Sequence, residues 1–223
     1  MTKLIKLMGS AIAIACLLMT PLKANEEAFA GPYVGLNAAV VGVEADGNHN
    51  DNQGNVTTGT AGKVATIAGA ELGYALPMGG MILDIGGTFF SGEAKLATDT
   101  DLASKSNSTE VKFQVEDMWT AYIAPTFVMS DTSSIYFKIG VVEAETSVSG
   151  DVTTPSDLEG ETYAIGTRTV LDSGLFVRSE AGLHEFDQIS VTGKGSSNGI
   201  TTSTKITADP TIAYGSISVG YKF

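Results

Sequence analysis

Cysteine and histidine are scarce in this sequence, and they are the side chains that zinc sites and many acid–base or thiol-dependent enzymes need. The chain of 223 residues has one cysteine, two histidines and one tryptophan. No group of cysteines and histidines has the spacing of a zinc site. We therefore expect no metal, no cofactor and no enzymatic activity.

Basic residues are also few. Lys and Arg number 13 against 25 Asp and Glu, which gives a formal net charge of −12. Nucleic acids and anionic membrane surfaces attract proteins with a basic patch, and no such patch is present here. This balance argues against nucleic acid as a partner.

Long apolar runs are missing beyond the N-terminus. Lys3 and Lys6 precede an apolar run over residues 7–19, which is followed by Pro21 and the small residue Ala24. The run is shorter than the roughly 20 residues that a membrane-spanning helix needs. This order is typical of a secretory signal peptide. We predict cleavage after Ala24, and the alternative is the small-x-small site that ends at Ala30.

The predicted organisation is a signal peptide over residues 1–24 and a single domain over residues 25–223. Cys16 falls in the signal peptide, and we interpret it as an apolar filler rather than a lipidated cysteine, because lipidation would leave Leu17 and Leu18 at the mature N-terminus. Residues 1–24 contain three lysines and no acid, so their removal changes the formal charge from −12 to −15.

The domain is dominated by alternation of apolar and polar residues. In its last segment Ala213, Ile217, Val219, Tyr221 and Phe223 share one face, and small or polar residues lie between them. A two-residue period is typical of strands with one apolar face. Seven earlier segments have the same period, so we predict eight strands.

Two details of the pattern give finer expectations. In the fourth predicted strand Val111, Phe113, Val115 and Trp119 share the apolar face, on which Asp117 is an exception. Aromatic residues near strand ends are expected at the two membrane interfaces, where such rings collect. These residues are Tyr33, Tyr74, Phe89, Trp119, Phe137, Tyr163, Tyr221 and Phe223.

The connections between the predicted strands alternate in length. Short turns at 77–80, 129–133 and 172–174 separate long polar stretches at about 46–62, 92–109, 145–160 and 187–205. Bacterial transmembrane barrels have short turns on one side and long loops on the other. A spanning sheet must also close, because lipid offers no hydrogen-bond partner to a strand edge. We therefore predict an all-β fold, an eight-stranded antiparallel up-and-down transmembrane β-barrel.

The polar face of the predicted strands carries a few charges of both signs. A small barrel is filled by its own side chains, so inward charges must be paired in a network. The predicted network consists of Glu71, Asp84, Lys138, Arg168, Arg178 and Glu180. The alternative is a soluble lipocalin-type barrel with the apolar face inward, although a soluble exterior normally carries denser mixed charge than this face does.

The ending Gly220-Tyr221-Lys222-Phe223 resembles the C-terminal signature of outer-membrane barrels. This resemblance implies that Ile217, Val219, Tyr221 and Phe223 form the signal that the barrel-assembly machinery reads. Residues 31–36, 121–125 and 135–140 are also similar to the OmpA/Opa-like small outer-membrane β-barrel superfamily. The resemblance implies a place in the bacterial outer membrane among its lipids, with long loops extracellular and short turns periplasmic.

Membership of such a superfamily implies architecture rather than activity. We expect a non-enzymatic barrel with a structural role in the envelope, whose acidic loops meet an extracellular ligand or host surface. One alternative is a narrow ion-conducting barrel in which the inward charges form a gate. The other is a lipid-modifying barrel enzyme that uses His49 or His184.

The first long loop leaves divalent-ion binding open. It contains side chains with the hard oxygen atoms that calcium accepts. These side chains are Asp46, Asn48, Asn50 and Asp51. The spacing does not fit an EF-hand, and a flexible acidic loop is the preferred interpretation.

Overall fold

The strands close into a barrel. The computed structural model describes residues 26–50, 56–99, 110–149, 152–171, 173–194 and 205–223. A short 3-10 turn, Glu26–Ala28, precedes nine strands: β1 (Gly31–Asn50), β2 (Val56–Pro77), β3 (Ile82–Asp99), β4 (Glu110–Val128), β5 (Ser133–Ser149), β6 (Leu158–Val170), β7 (Leu175–Phe186), β8 (Ile189–Thr192) and β9 (Lys205–Lys222). Every neighbouring pair is antiparallel, and pairing of β1 with β9 closes the sheet.

The barrel wall consists of eight long strands, which confirms the predicted fold. The short β8 pairs with the part of β9 nearest the long hairpins, from Ile189 opposite Ala208 to Thr192 opposite Lys205, and stands outside the closed ring. β7 skips β8 and pairs directly with β9. In the part of the chain that the structure describes, no helix is long and apolar enough to cross a membrane.

The apolar face of the strands points outward. Leu36 is 73% exposed and Leu72 is 67% exposed, whereas the inward residues Glu71 and Arg168 are 4% and 2% exposed. A soluble lipocalin-type barrel would have the opposite arrangement. A tilted strand needs about 9–11 residues to span a bilayer, and the long strands have between 12 residues in β7 and 22 in β2.

The predicted outward face is wrong in the half of β4 that lies nearer the long hairpins. The alternation predicts Val115 beside Trp119 on the outer face, but Val115 is 6% exposed and lies inside the barrel, while Trp119 is 41% exposed. A register shift between Glu116 and Met118 adds one residue to β4 against β5. A bulge of this kind reverses the inward and outward positions beyond it, and Asp117, the apparent exception to the pattern, lies at the bulge.

The first two long polar stretches are more regular than predicted where the structure describes them. β1 and β2 remain paired as far as Asn50 opposite Val56, and β3 and β4 as far as Asp99 opposite Glu110. The polar and glycine-rich composition of these stretches predicts irregular backbone. Each hairpin instead continues its hydrogen-bonded ladder past the apolar band, because pairing satisfies the backbone donors and acceptors at every step.

Acidic residues mark the end of the apolar band on the side of the long hairpins. On the outer surface Glu143 lies directly opposite Glu159, and Glu161 lies directly opposite Glu185. We call these four residues the acidic rim. Like charges in direct cross-strand pairs repel each other, and this repulsion is weakest in water. The acidic rim therefore lies in water, and the membrane boundary lies on its short-turn side.

Glycines on the inner wall make room for aromatic rings from neighbouring strands. At Gly86 a Cβ atom would lie 2.7 Å from Tyr122 Oη and 2.9 Å from the Leu72 carbonyl oxygen. On the outer wall, a Cβ at Gly215 would meet no atom within 4 Å. The tyrosine therefore occupies the space that a side chain at residue 86 would need.

We expect Gly86→Ala to destabilise the barrel by about 1–3 kcal/mol, the usual cost of overpacking a dense interior. Gly215→Ala is the matched control, and it should leave stability nearly unchanged. Urea unfolding in lipid vesicles, followed by fluorescence of Trp119, measures both variants. Equal stability of the two would contradict the packing of Tyr122 on Gly86.

Candidate functional site

The interior of the barrel has three layers. At the short-turn end lies an apolar layer of Phe29, Tyr33, Ala75, Ile82, Val128, Val170 and Phe176. A second apolar layer at the long-hairpin end includes Val41, Phe90, Val115, Met118 and Ile212. The charged residues lie between the two, so both layers separate them from the aqueous ends.

The first charged pair joins β7 to β2. Arg178 Nη1 donates a hydrogen bond to Glu71 Oε2 at 2.8 Å, and both side chains are almost fully buried. The guanidinium also lies 5.1 Å from the ring centres of Tyr33 and Tyr136, which face it from β1 and β5. Aromatic faces stabilise a desolvated cation, so the arginine is held by an anion and by two rings.

The second pair joins β5 to β7. Lys138 Nζ lies 2.6 Å from Glu180 Oε2. The hydroxyls of Tyr136 and Tyr214 each donate to the same carboxylate at 2.7 Å. Lys138 Nζ lies 4.2 Å from the ring centre of Tyr122. Glu180 thus has three donors, which is the degree of hydrogen bonding that a buried carboxylate requires.

The third pair lies nearest the short-turn end and joins β6 to β3. Arg168 Nη1 donates to Asp84 Oδ1 at 3.2 Å, and Thr126 Oγ1 donates to Asp84 Oδ2 at 2.6 Å. Arg168 Nη2 donates to the carbonyl oxygen of Phe29 at 3.2 Å. The six residues that the alternation placed inside the barrel therefore form three acid–base pairs, each between different strands.

The space left between these side chains is small. A polar cavity of about 10 Å³ is lined by residues that include Asn37, Glu71, Thr88, Thr120 and His184. An apolar cavity of about 20 Å³ lies between Phe90, Val115 and Met118. A single water needs roughly 10–15 Å³ measured in this way, so neither cavity has room for more than one or two waters.

The two histidines do not form a rim site with a nucleophile in the described structure. His184 is 1% exposed and stacks on Tyr214, with 4.6 Å between ring centres and 13° between planes. It lies inside the barrel, not at the membrane rim where a lipid-modifying enzyme would need it. His49 lies in β1, and its side chain is outside the described residues.

One nucleophile-like spacing occurs in the sequence. Residues 195–199 read Gly-Ser-Ser-Asn-Gly and fit Gly-x-Ser-x-Gly, but they lie outside the described residues. That motif acts as a sharp turn between a strand and a helix. Here the flanking elements are the strands β8 and β9, which is a different context.

The sequence predicts a flexible acidic loop, or alternatively a divalent-ion site, in the first long polar stretch. Asp46, Asn48 and Asn50 instead belong to β1 and are paired along their length with β2 and β9, while Asp51 lies outside the described residues. Among the described residues no group of three or more His, Cys, Asp or Glu side chains could hold a metal ion.

The residues of the proposed assembly signal line the outer face of β9. Ile217, Val219, Tyr221 and Phe223 are 61%, 54%, 42% and 69% exposed. The rings of Tyr221 and Phe223 meet edge to face at 5.1 Å. This apolar stripe lies next to the seam where β9 meets β1.

The sequence pattern missed the aromatic part of the interior. The pattern predicts Tyr33 at a membrane interface, but this residue is 2% exposed and its hydroxyl lies 3.1 Å from that of Tyr122. The alternation itself indicates the inward orientation of Tyr33, because Val34 and Leu36 lie on the outward face and Tyr33 falls on the opposite one. Tyr122, Tyr136 and Tyr214 also occupy inward positions of their strands.

Solved structures of two outer membrane proteins share the fold of this chain. The outer membrane protein OprG from Pseudomonas aeruginosa is 14% identical, with a TM-score of 0.55 over 87% of this chain and 97% of that chain. The outer membrane protease OmpT from Escherichia coli is 8% identical, with a TM-score of 0.53 over 86% and 97%. Ail, the attachment invasion locus protein of Yersinia pestis, is 12% identical, with a TM-score of 0.40 over 85% and 99%.

The sequence itself identifies the family. No curated protein matches it. Residues 10–223, however, match the family described as outer membrane protein beta-barrel domain. That match covers nearly the whole chain and agrees with the closed barrel and its outward apolar band. This chain therefore belongs to the outer membrane protein beta-barrel domain family and is a protein of the bacterial outer membrane.

Proposed function

We propose that the protein is a closed structural barrel of the envelope that presents acidic hairpins to a basic partner outside the cell. The observation that carries the proposal is the filled interior: three buried ion pairs lie between two apolar layers. A lumen of this kind supports stability rather than diffusion of solutes, since wide aqueous pores are built from about 16 strands.

The acidic surface supports the choice of partner. The four long polar stretches of the sequence together contain ten acids, Glu159 among them, and four bases. The other three glutamates of the acidic rim add to this charge at the base of the hairpins. A surface with one dominant sign of charge attracts partners of the opposite sign and repels polyanions. The preferred partner is therefore a cationic protein or peptide surface.

A narrow ion-conducting barrel is the second candidate. The polar cavity favours it, because Asn37 Oδ1, Thr88 Oγ1 and Thr120 Oγ1 have no hydrogen-bond partner there among the described residues. Ion passage would also have to disrupt both apolar layers. The first candidate therefore fits more of the interior.

The structural role makes the buried pairs essential to stability. We expect Arg178→Met to destabilise the barrel by about 3–5 kcal/mol, because it leaves Glu71 buried without its counter-charge. The double variant Glu71→Gln, Arg178→Met should recover part of that loss. Urea unfolding in vesicles measures both, and a double variant less stable than the single one would refute the pairing.

Conductance distinguishes the two candidates. We expect the purified protein in a planar bilayer to show no sustained current above that of the lipid alone, because the two apolar layers close the lumen. Sustained single-channel currents that change in Lys138→Met would favour the narrow ion-conducting barrel. A large porin measured in the same chamber controls for insertion and sensitivity.

The acidic surface is tested by binding to poly-lysine. We expect nanodiscs of phosphatidylcholine that carry the protein to bind poly-lysine and not heparin, and to lose binding as salt rises. The double variant Glu143→Gln, Glu159→Gln should weaken binding several-fold. The matched control Glu27→Gln, Asp131→Asn removes the same charge from the opposite end, and equal weakening by both would contradict a site on the hairpins.

A further inference from the structure

The five residues before the first strand close the short-turn end of the barrel. Residues 26–28 form a 3-10 turn, and the next residue, Phe29, is 0% exposed. Its ring belongs to the apolar layer that includes Val128, Val170 and Phe176, and Ala28 packs against that layer. A segment that lies outside the wall therefore contributes a fully buried side chain to the interior.

Polar contacts fix this segment to widely separated parts of the wall. The Glu26 carboxylate accepts hydrogen bonds from the backbone N–H groups of Gly79 and Gly80, in the turn between β2 and β3. Lys222 Nζ, at the end of β9, donates to the carbonyl oxygen of Glu27 at 2.9 Å. We call residues 26–30 the stopper, because these contacts hold Phe29 across the short-turn end of the lumen, which we call the mouth.

The stopper also completes the environment of a buried charge. Arg168 Nη2 donates to the Phe29 carbonyl oxygen at 3.2 Å, and the guanidinium carbon lies 5.5 Å from the centre of the Phe29 ring. Without residues 26–30, Arg168 would keep Asp84 but lose that acceptor and that ring. A buried cation that loses a hydrogen-bond acceptor is costly, so the stopper stabilises the folded barrel.

We propose that the stopper is part of the mature protein, and that signal peptidase therefore hydrolyses the Ala24–Asn25 bond and not the Ala30–Gly31 bond. The reaction consumes one water and leaves a carboxylate on Ala24 and an α-amino group on Asn25. Cleavage after Ala30 would use the small residues Ala28 and Ala30, but it would discard every stopper contact described above. This inference is independent of the proposed function.

The processing site is tested by the intact mass and N-terminal sequence of the protein purified from outer membranes. We expect a chain that begins at Asn25. A chain that begins at Gly31 overturns the proposal, because it would be a folded, exported barrel without the stopper. Cys16 is the sole cysteine, so the same mass shows whether the mature chain is free of cysteine.

The closing role is tested with a cysteine placed behind the stopper. Ser134 is 2% exposed, and its hydroxyl donates to the Arg168 carbonyl oxygen at the short-turn end. In the Ser134→Cys background, joining Asn25 directly to Gly31 deletes the stopper and keeps the Ala24–Asn25 bond. We expect labelling by a membrane-impermeant maleimide to rise roughly tenfold or more, because a protected site reacts only through rare opening. Asp131→Cys, on the exposed turn, should label equally with and without the stopper.

A point variant keeps the test informative if the deletion prevents folding. Phe29→Gly, made in the same Ser134→Cys background, removes the ring and leaves the backbone contacts to Arg168 and Lys222 available. Its fold is checked by the gel shift between boiled and unboiled samples. Faster labelling of the introduced thiol in a folded Phe29→Gly barrel supports the stopper, whereas labelling as slow as with Phe29 present overturns its closing role.

Discussion

Every other feature of this protein depends on the need to satisfy backbone hydrogen bonds in lipid. Hydrocarbon offers no donor or acceptor, so a membrane-spanning sheet cannot leave an edge. The pairing of β1 with β9, from Tyr33 opposite Lys222 outward, removes that edge. Closure with eight strands then fixes a narrow lumen, and a narrow lumen must be filled by the side chains of its own wall.

Filling the lumen explains which residues face inward. Apolar side chains can fill the two ends of the lumen. The middle layer combines charges with aromatic rings that pack against glycines, as Tyr122 packs against Gly86. Each charge in this middle layer has an opposite charge on another strand, and the three pairs connect β2, β3, β5, β6 and β7. The pairs therefore link strands that share no backbone ladder, such as β2 and β7, and they oppose changes in the shape of the ring.

Much of this could be predicted from the alternation of residues, because a period of two follows directly from strand geometry. It located the strands, the outward face and the six inward charges. It could not give the partner of each charge, since the distance between Arg178 and Glu71 depends on strand register and tilt around the whole ring. It also failed at β4, where one extra residue near Asp117 exchanges the two faces, and a bulge leaves only a single polar exception in the sequence.

The stopper could not be predicted for a related reason. Phe29 precedes the first alternating segment and shows no period of its own, so nothing local indicates that it enters the lumen. Its position depends on Gly79 and Gly80 in one turn, Arg168 in the wall and Lys222 near the C-terminus, which meet only after the ring has closed. Closure of the sheet thus creates the binding site for the segment that closes the mouth. β9 supplies both the seam with β1 and the Lys222 contact, so one strand completes both the wall and its end.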